Sequence, residues 1–171
     1  MSEVNKEVGF GTFRAEVFRQ ILLQLKEDHE SLVRSAVEAR DAATHIENKS
    51  EGKYDTRGLE ASYLAGGQAK RAAELEEAIF YYEHLDAKIL TTTPTKVIAP
   101  CPLQLCVDEK INDFVLLPKG SIKDLRLPTR TISIISSLSP LGMELLGREE
   151  GDEFEFKAGN AIRHYRLIKI Y

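Results

Sequence analysis

A hydrophobic repeat in the N-terminal half constrains this chain more than any other feature. Its residues follow one another at alternating spacings of four and three: Phe18, Leu22, Leu25, His29, Leu32, Ala36, Ala39, Ala43 and Ile46. This heptad spacing presents one stripe of a helix to a partner helix. The stripe passes from bulky residues to alanine, and no proline interrupts it. We therefore predict one long helix from about Ala15 to Glu47, preceded by a loose arm over residues 1–14 on which Phe10 and Phe13 dock.

A second long helix is predicted from Thr56 to about Leu90. It carries a matching stripe through Gly58, Ala61, Ala65, Gln68, Ala72, Leu75, Ile79, Tyr82 and Ile89, with Asp86 as one charged step. Gly52 and the polar residues around it break the helical pattern between the two stretches. Two helices joined by a short turn fold back most simply as an antiparallel coiled-coil hairpin. Gly66-Gly67 lies in mid-helix, where it predicts a weak point or a bend.

The C-terminal half changes to strand patterns. After a linker over residues 91–102, short apolar runs alternate with turn signals at Leu103–Val107, Phe114–Leu117, Arg130–Ile135, Phe154–Phe156 and Ile162–Ile170. Ser139, Pro140 and Gly147 frame one short helix, with serine at the N-cap and proline in the first turn. These signals predict an α+β protein: an arm and hairpin over 1–90 with a tip near 47–56, and an antiparallel sheet domain with one short helix over 103–171.

Composition excludes several classes of protein. The net charge of −4 argues against a binder of duplex DNA, which usually carries a strong basic patch. Cys101 and Cys106 have neither the spacing of a zinc site nor that of a redox motif, and are interpreted as free thiols. The N-terminus has no apolar signal-peptide core, and no apolar run reaches the about 20 residues of a membrane span. We expect a cytoplasmic protein with no membrane contact.

The C-terminal segment carries the most specific motif. Thr131-Ile132-Ser133, Ser139-Pro140-Leu141-Gly142, Leu145-Leu146-Gly147 and Glu150-Gly151-Asp152 follow in order and are closed by a strand containing Tyr165. This run resembles the bacterial Gre-type (GreA/GreB family) transcription elongation factors. The order of domains and the length also fit that family. The segment Ser50-Glu51-Gly52-Lys53-Tyr54 resembles the tip of the family's hairpin, although one residue is missing between the glutamate and the tyrosine.

The resemblance implies a monomeric factor that binds RNA polymerase and is not an enzyme by itself. Its FKBP-like sheet domain would dock at the rim of the polymerase's secondary channel, with Ser139, Pro140 and Leu141 near the contact surface. Leu141 and Met143 are expected in the core and the loop before them on the surface. The hairpin would reach the active centre, where tip acids help the polymerase to cleave a backtracked transcript. Contact with nascent RNA would be indirect.

The tip acids allow two alignments. Anchoring the resemblance on Ser50-Glu51 makes Glu51 one of the family's acids and places Asn48 at the other; anchoring on Tyr54 places the acids at Glu47 and Ser50. Hydrolysis with two metal ions needs carboxylates, and Mg²⁺ is often held by only one or two of them. Glu51 is the candidate for a Mg²⁺ shared with the polymerase, Glu47 and Asp55 are further candidate acids, and no tightly bound cofactor is expected. The alternative is that these acids are solvated turn charges.

Three other functions remain open at this stage. A Gre-like protein whose tip holds no metal would occupy the channel and modulate or inhibit transcription without cleavage. An FKBP-like prolyl isomerase or chaperone with a helical handle fits the sheet domain less well, because that domain is short and the chain has no tryptophan. A dimerising coiled-coil adaptor would keep large residues along the whole stripe, whereas this stripe fades to alanine.

Overall fold

Two long helices occupy the N-terminal half. The computed structural model describes residues 10–47, 56–120, 122 and 124–171, and the side chains of residues 13–41, 66–120, 122 and 124–171. Helix α1 spans Phe10–Glu47 and helix α2 spans Thr56–Glu83. Helix α1 begins earlier than predicted, so the expected loose arm is wrong from Phe10 onward. Contacts of Phe13 and Arg14 with the sheet domain hold this first turn.

Helix α2 ends seven residues before the predicted end at Leu90. Asp86 adopts a non-helical backbone and its side-chain oxygen accepts a 2.8 Å hydrogen bond from the Lys88 N–H. This N-cap starts a separate short helix α3, Ala87–Thr91. The charged step in the stripe is therefore a helix start, which explains why a polar residue stands there.

The chain forms two compact units. One comprises the residues up to Ile21 together with His84–Tyr171, and the other is Leu22–Glu83. Within the second unit, Lys26 Nζ lies 2.6 Å from Glu83 Oε1, and His29 Nε2 lies 3.2 Å from Glu76 Oε1. Moving forward along α1 therefore means moving backward along α2. The two helices run antiparallel in this unit, as the sequence predicts.

Burial follows the two predicted stripes. Leu25 on α1 and Leu75 and Tyr82 on α2 are buried. The other described stripe positions of this unit are half-buried at Leu22, His29, Leu32, Ala36, Gln68, Ala72 and Ile79, and exposed at Ala39. The heptad pattern thus marks helix faces that are shielded from water, and along the described part of α1 burial is greatest toward its N-terminal end.

A six-stranded sheet fills the C-terminal half. Its strands are β1 Cys101–Val107, β2 Lys110–Leu117, β3 Leu125–Leu127, β4 Arg130–Ser136, β5 Glu153–Ala158 and β6 Ala161–Ile170. They lie in the order β3-β4-β2-β1-β6-β5. Hairpin turns at Asp108-Glu109, both with positive φ, and at Gly159-Asn160 join β1 to β2 and β5 to β6. The short helix α4, Pro140–Leu145, follows β4.

The sheet is mixed, so the prediction of a wholly antiparallel sheet is wrong at one pairing. Strand β2 pairs with β4 in parallel, with Val115 opposite Ile134. The chain passes through the short strand β3, which pairs antiparallel with β4 and lies at the sheet edge. Strand β3 has only three residues and is followed by Pro128, which is why no strand was predicted there. The α+β class is confirmed.

One face of the sheet carries the main core. Residues at alternate positions of β1, such as Leu103 and Leu105, point into it together with Leu167 of β6. Leu145 of α4 and Val97 of the predicted linker cover this face. The Val97 N–H donates to Arg148 O at 2.8 Å, and the Gly147 N–H donates to Val97 O at 2.9 Å. Part of the linker is therefore a structural piece of the sheet domain.

Candidate functional site

The candidate functional residues lie in two regions, the tip acids and the segment around Ser139, and the structure describes only the second in full. Of the candidate tip acids, Glu51 and Asp55 lie outside the described residues, as do Asn48 and Ser50. Glu47 is the last residue of α1, and its side chain is outside the described set. The catalytic and metal-holding roles of these residues stay predictions. The region around Ser139, Pro140 and Leu141 is described in full.

Ser139 caps helix α4, and its hydroxyl both accepts and donates a hydrogen bond. Its Oγ accepts a 3.0 Å hydrogen bond from the Gly142 N–H and donates a 2.7 Å hydrogen bond to Ser136 O. Pro140 occupies the first turn, where its missing N–H leaves no partner unsatisfied. A hydroxyl so engaged is a structural cap and does not act as a nucleophile. The predicted helix start is confirmed.

Gly142 sets how closely α4 lies on the end of β4. A Cβ built on Gly142 would stand 1.9 Å from Ser136 O and 2.8 Å from Ser136 C. No side chain fits in that space, because both neighbours are backbone atoms. The glycine of the Ser-Pro-Leu-Gly sequence is therefore required by packing, for which the sequence alone showed only a motif.

Apolar side chains around α4 are exposed to solvent. Leu138 is 79% exposed, Met143 58% and Leu146 42%. The expectation that Met143 is a core residue is wrong, because it lies on the outer side of α4 while Leu145 faces the core. Leu141 is half-buried against the core cluster, and exposed Leu138 agrees with a surface loop before it. Three exposed apolar residues within nine positions of the chain make α4 and its two flanks a candidate surface for binding another protein.

Arg148 braces this surface from the C-terminal side. Its guanidinium carbon lies 3.9 Å from the centroid of the Phe154 ring. Its Nε donates to Glu144 O at 2.8 Å, and its Nη2 pairs with the Glu144 carboxylate. Arg148 therefore ties α4 to strand β5. The only sequence signal for this contact is the i, i+4 spacing of Glu144 and Arg148.

A groove of about 630 Å³ is lined by residues of β1, β2, β5 and β6 and of the turn between β1 and β2. Charged side chains line much of it, with Glu153 3.7 Å from Arg166 and Glu155 3.3 Å from His164. The full lining consists of Cys106, Glu109, Ile111, Glu153, Phe154, Glu155, His164, Tyr165 and Arg166. An open, charged groove differs from the enclosed apolar pockets that usually hold small molecules. It gives the isomerase alternative no support.

Two titratable groups of the sheet domain are shifted by burial. Burial raises the pKa of the Cys101 thiol, with a smaller opposing effect from the nearby Arg14 charge. Burial also raises the pKa of Tyr171, and the Asp113 carboxylate adds to this. The Tyr171 hydroxyl donates to Asp113 Oδ1 at 3.3 Å. Both groups are therefore neutral at physiological pH, and Cys101 is a free thiol, as predicted, that lies buried in the sheet domain.

No three His, Cys, Asp or Glu side chains among those described come together as metal ligands. None of the described helices combines the length and the apolar character that crossing a membrane requires.

Comparison with known proteins places the C-terminal segment in a family. Residues 128–171 match the family described as transcription elongation factor GreA/GreB, C-terminal part. The matched segment contains β4, α4, β5 and β6, and therefore the whole exposed surface around α4. No curated protein sequence matches the chain significantly.

The solved structures that are similar to this chain include several transcription factors. The transcription factor Gfh1 is 21% identical, with 88% of this chain and 92% of that chain covered, at a TM-score of 0.38. Gfh1 of Thermus aquaticus is 20% identical, with 86% and 91% covered and a TM-score of 0.35. The GreA/GreB factor of Nitrosomonas europaea is 25% identical, with 58% and 78% covered and a TM-score of 0.34.

The chain thus combines two long N-terminal helices and a mixed sheet with a C-terminal segment that matches the transcription elongation factors GreA/GreB. The match of residues 128–171 to the GreA/GreB C-terminal domains confirms, over that segment, the resemblance seen in the sequence.

Proposed function

We propose that this protein is a transcription elongation factor that binds RNA polymerase in its secondary channel and stimulates the polymerase to cleave backtracked transcripts. The observation that carries the proposal is the GreA/GreB match of residues 128–171 behind two long antiparallel helices. The factor does not catalyse alone. The polymerase active site supplies the chemistry, the factor acts as a monomer, and the nascent RNA is contacted only through the polymerase complex.

Docking is assigned to the surface around α4. Leu138 and Met143 present apolar area next to the cap formed by Ser139 and Pro140. Burying such side chains contributes roughly 25 cal/mol per Å² of apolar surface. Their backbone is held rigid by the Ser139 cap and by the close contact at Gly142. A rigid apolar surface binds a partner with little loss of conformational entropy.

Reach is assigned to the helices. Helix α1 has 38 residues, which at about 1.5 Å each give a length of about 57 Å. Helix α2 has 28 residues, or about 42 Å at the same rise. The stripe on α1 thins to alanine toward the turn, which keeps the far end of the helix pair narrow. A narrow helical rod is the shape that entry into a protein channel requires.

Cleavage is assigned to Glu51, with Glu47 and Asp55 as further acids. Glu51 would share one Mg²⁺ with the polymerase, and that ion would supply Lewis-acid activation of water when bound. A specific observation favours a second function: when the family resemblance is anchored on Ser50-Glu51, Asn48 stands where the family has an acid. Asparagine is neutral and a poorer ligand for Mg²⁺. The alternative is therefore a factor that occupies the channel and inhibits transcription without cleavage.

The deciding experiment uses backtracked elongation complexes assembled with the cognate RNA polymerase. The wild-type protein is expected to shorten the stalled transcript, and Glu51→Ala is expected to lose this activity while still binding. The matched control is Glu38→Ala, which removes an exposed glutamate from the described part of α1. Binding is measured separately by competition with labelled wild-type protein.

Each outcome selects one function. Binding with transcript cleavage supports the main proposal. Binding with slower elongation and intact RNA supports the alternative at the tip. A wild-type protein that does not bind polymerase would refute both. Leu138→Asp, placed on the exposed loop, is expected to weaken binding at least about tenfold, because an apolar contact is replaced by a charge that must be desolvated.

A further inference from the structure

Arg14 is a charged side chain buried in the sheet-containing unit. It is only 2% exposed. Its Nη2 donates to Pro100 O at 3.0 Å, and its Nε and Nη1 donate to Ile89 O and Tyr171 O, respectively. Its guanidinium carbon also lies 5.5 Å from the centroid of the Phe18 ring. One guanidinium therefore joins three backbone segments that are far apart in sequence.

These segments meet where the chain enters and leaves the helix pair. Arg14 stands on the first turns of α1, before the chain passes into the second unit after Ile21. Ile89 stands on α3, directly after the chain has returned at His84. Pro100 directly precedes β1 and Tyr171 directly follows β6. These two strands pair with each other in the sheet. Arg14 thus fastens both the entry and the exit of the helix pair to the sheet.

Neighbouring aromatic contacts support the same junction. The Phe13 and Tyr171 ring centroids lie 4.5 Å apart, and the Arg130 guanidinium carbon lies 4.7 Å from the Phe13 centroid. Arg130 also reaches Asp113 at 3.4 Å. The first turns of α1 are therefore held on the sheet from two sides, by Arg14 and by this aromatic cluster.

Only arginine suits this position. Its planar guanidinium carries five N–H donors in fixed directions, so it reaches three acceptors at once. Lysine carries its three donors on one nitrogen and cannot span acceptors on three segments. An apolar replacement would leave three carbonyl oxygens without that donor, and unsatisfied buried polar groups are costly. Arg14 is therefore required for the directions of its N–H donors more than for its charge.

We propose that Arg14 is a positioning residue: it locks the start of α1 and the segment after α2 onto the sheet domain, so that the two points at which the chain enters and leaves the helix pair are held together. This inference rests on the proposed function. It assigns Arg14 no contact with polymerase or RNA. Its consequence is that Arg14 determines how well a bound factor acts, and not how tightly it binds.

The test is a dose-response measurement on backtracked elongation complexes. For Arg14→Met, the maximal effect on the RNA is expected to fall about tenfold or more, since a misplacement of about 1 Å can cost a factor of about 100. The half-saturating concentration is expected to stay unchanged, and Arg14→Lys is expected to fall in between. The matched control is Arg19→Met, which removes an exposed arginine of the same helix that pairs with Glu16 of its own helix.

A purely structural role gives a different result. Loss of folded protein lowers the active concentration, so the curve moves to higher concentration with an unchanged maximum, and that outcome overturns the proposal. If Arg14→Met does not fold, Asp86→Ala carries the test, because it removes the cap of α3 and loosens the Ile89 carbonyl without touching the core. A maximum equal to that of wild type in both Arg14→Lys and Asp86→Ala also overturns it.

A second measurement does not depend on polymerase. Spin labels at positions 19 and 157 of a Cys106→Ser protein report the distance between α1 and β5 inside the sheet-containing unit. Wild-type Arg14 is expected to give one narrow distance, and Arg14→Lys and Asp86→Ala to lose it. If the distance distribution broadens in the two variants and the wild-type protein does not bind polymerase, only the proposed function is refuted. An unchanged narrow distance in both variants refutes the locking role.

Discussion

Replacing Gly142 by alanine tests how the surface around α4 is built. The new Cβ would stand 1.9 Å from Ser136 O, whereas real Cβ atoms essentially never approach closer than 3.0 Å. The end of β4 and the start of α4 must therefore separate by at least 1.1 Å. Because the obstructing atoms belong to the backbone, no side-chain rotation relieves the contact.

The magnitude follows from what that separation breaks. Ser136 O accepts hydrogen bonds from the Ser139 N–H at 3.0 Å and the Ser139 hydroxyl at 2.7 Å. Each contributes about 1 kcal/mol net, and overpacking itself costs about 1–3 kcal/mol. We expect Gly142→Ala to lower the free energy of unfolding of the sheet domain by about 3–5 kcal/mol. For a protein of this size, that corresponds to a Tm lower by about 6–20 °C.

The assay is thermal and urea unfolding of the full chain, followed by circular dichroism. Gly66→Ala is the matched control, because a Cβ there has nothing within 4 Å and the backbone is helical. The control is expected to raise stability by about 1 kcal/mol, the ordinary difference between glycine and alanine in a helix. A Gly142→Ala protein within about 1 kcal/mol of wild type would refute this account of the close contact.

Three further predictions concern single groups of the sheet domain. Ser139→Ala is expected to lower stability by about 1 kcal/mol through loss of the α4 cap, measured by urea unfolding; an unchanged midpoint would contradict that role. A thiol reagent at neutral pH is expected to modify half-buried Cys106 rapidly and buried Cys101 only after unfolding; rapid modification of both would contradict the burial of Cys101. Because burial and Asp113 raise the pKa of Tyr171, the folded state keeps a proton that the unfolded state loses above pH about 10, so stability falls as pH rises through that range. Tyr171→Phe is expected to flatten this fall in stability curves taken between neutral and alkaline pH, and an equally steep fall would assign it to other groups.

The repeat in the sequence predicted the helices well because a helix face is a local property. Spacings of three and four residues place Leu25 and Leu32 on one side of α1 regardless of the partner. The ends of the helices were predicted less well. Helix α1 starts at Phe10 because Phe13 and Arg14 find partners in the sheet domain, and those partners are more than 70 residues away.

The strands were predicted wherever alternation ran for several residues, as in β1 and β6. Strand β3 was missed because three residues hold too little pattern, and its pairing with β4 decides that it is a strand. The parallel pairing of β2 with β4 is likewise a result of how the chain crosses the sheet. Strand direction leaves no mark on the composition of such short segments.

The candidate site, like the fold, was predictable from the sequence only in part. The sequence by itself determined the α+β class, the antiparallel helix pair, the cap at Ser139 and the family resemblance, because these depend on local spacing and short motifs. Only the tertiary structure decided that Gly142 is required by a backbone contact, that Met143 faces solvent and that Arg14 is buried among three carbonyls. Each of those facts depends on atoms brought together from distant parts of the chain, and a linear pattern of hydrophobic and polar residues does not contain them.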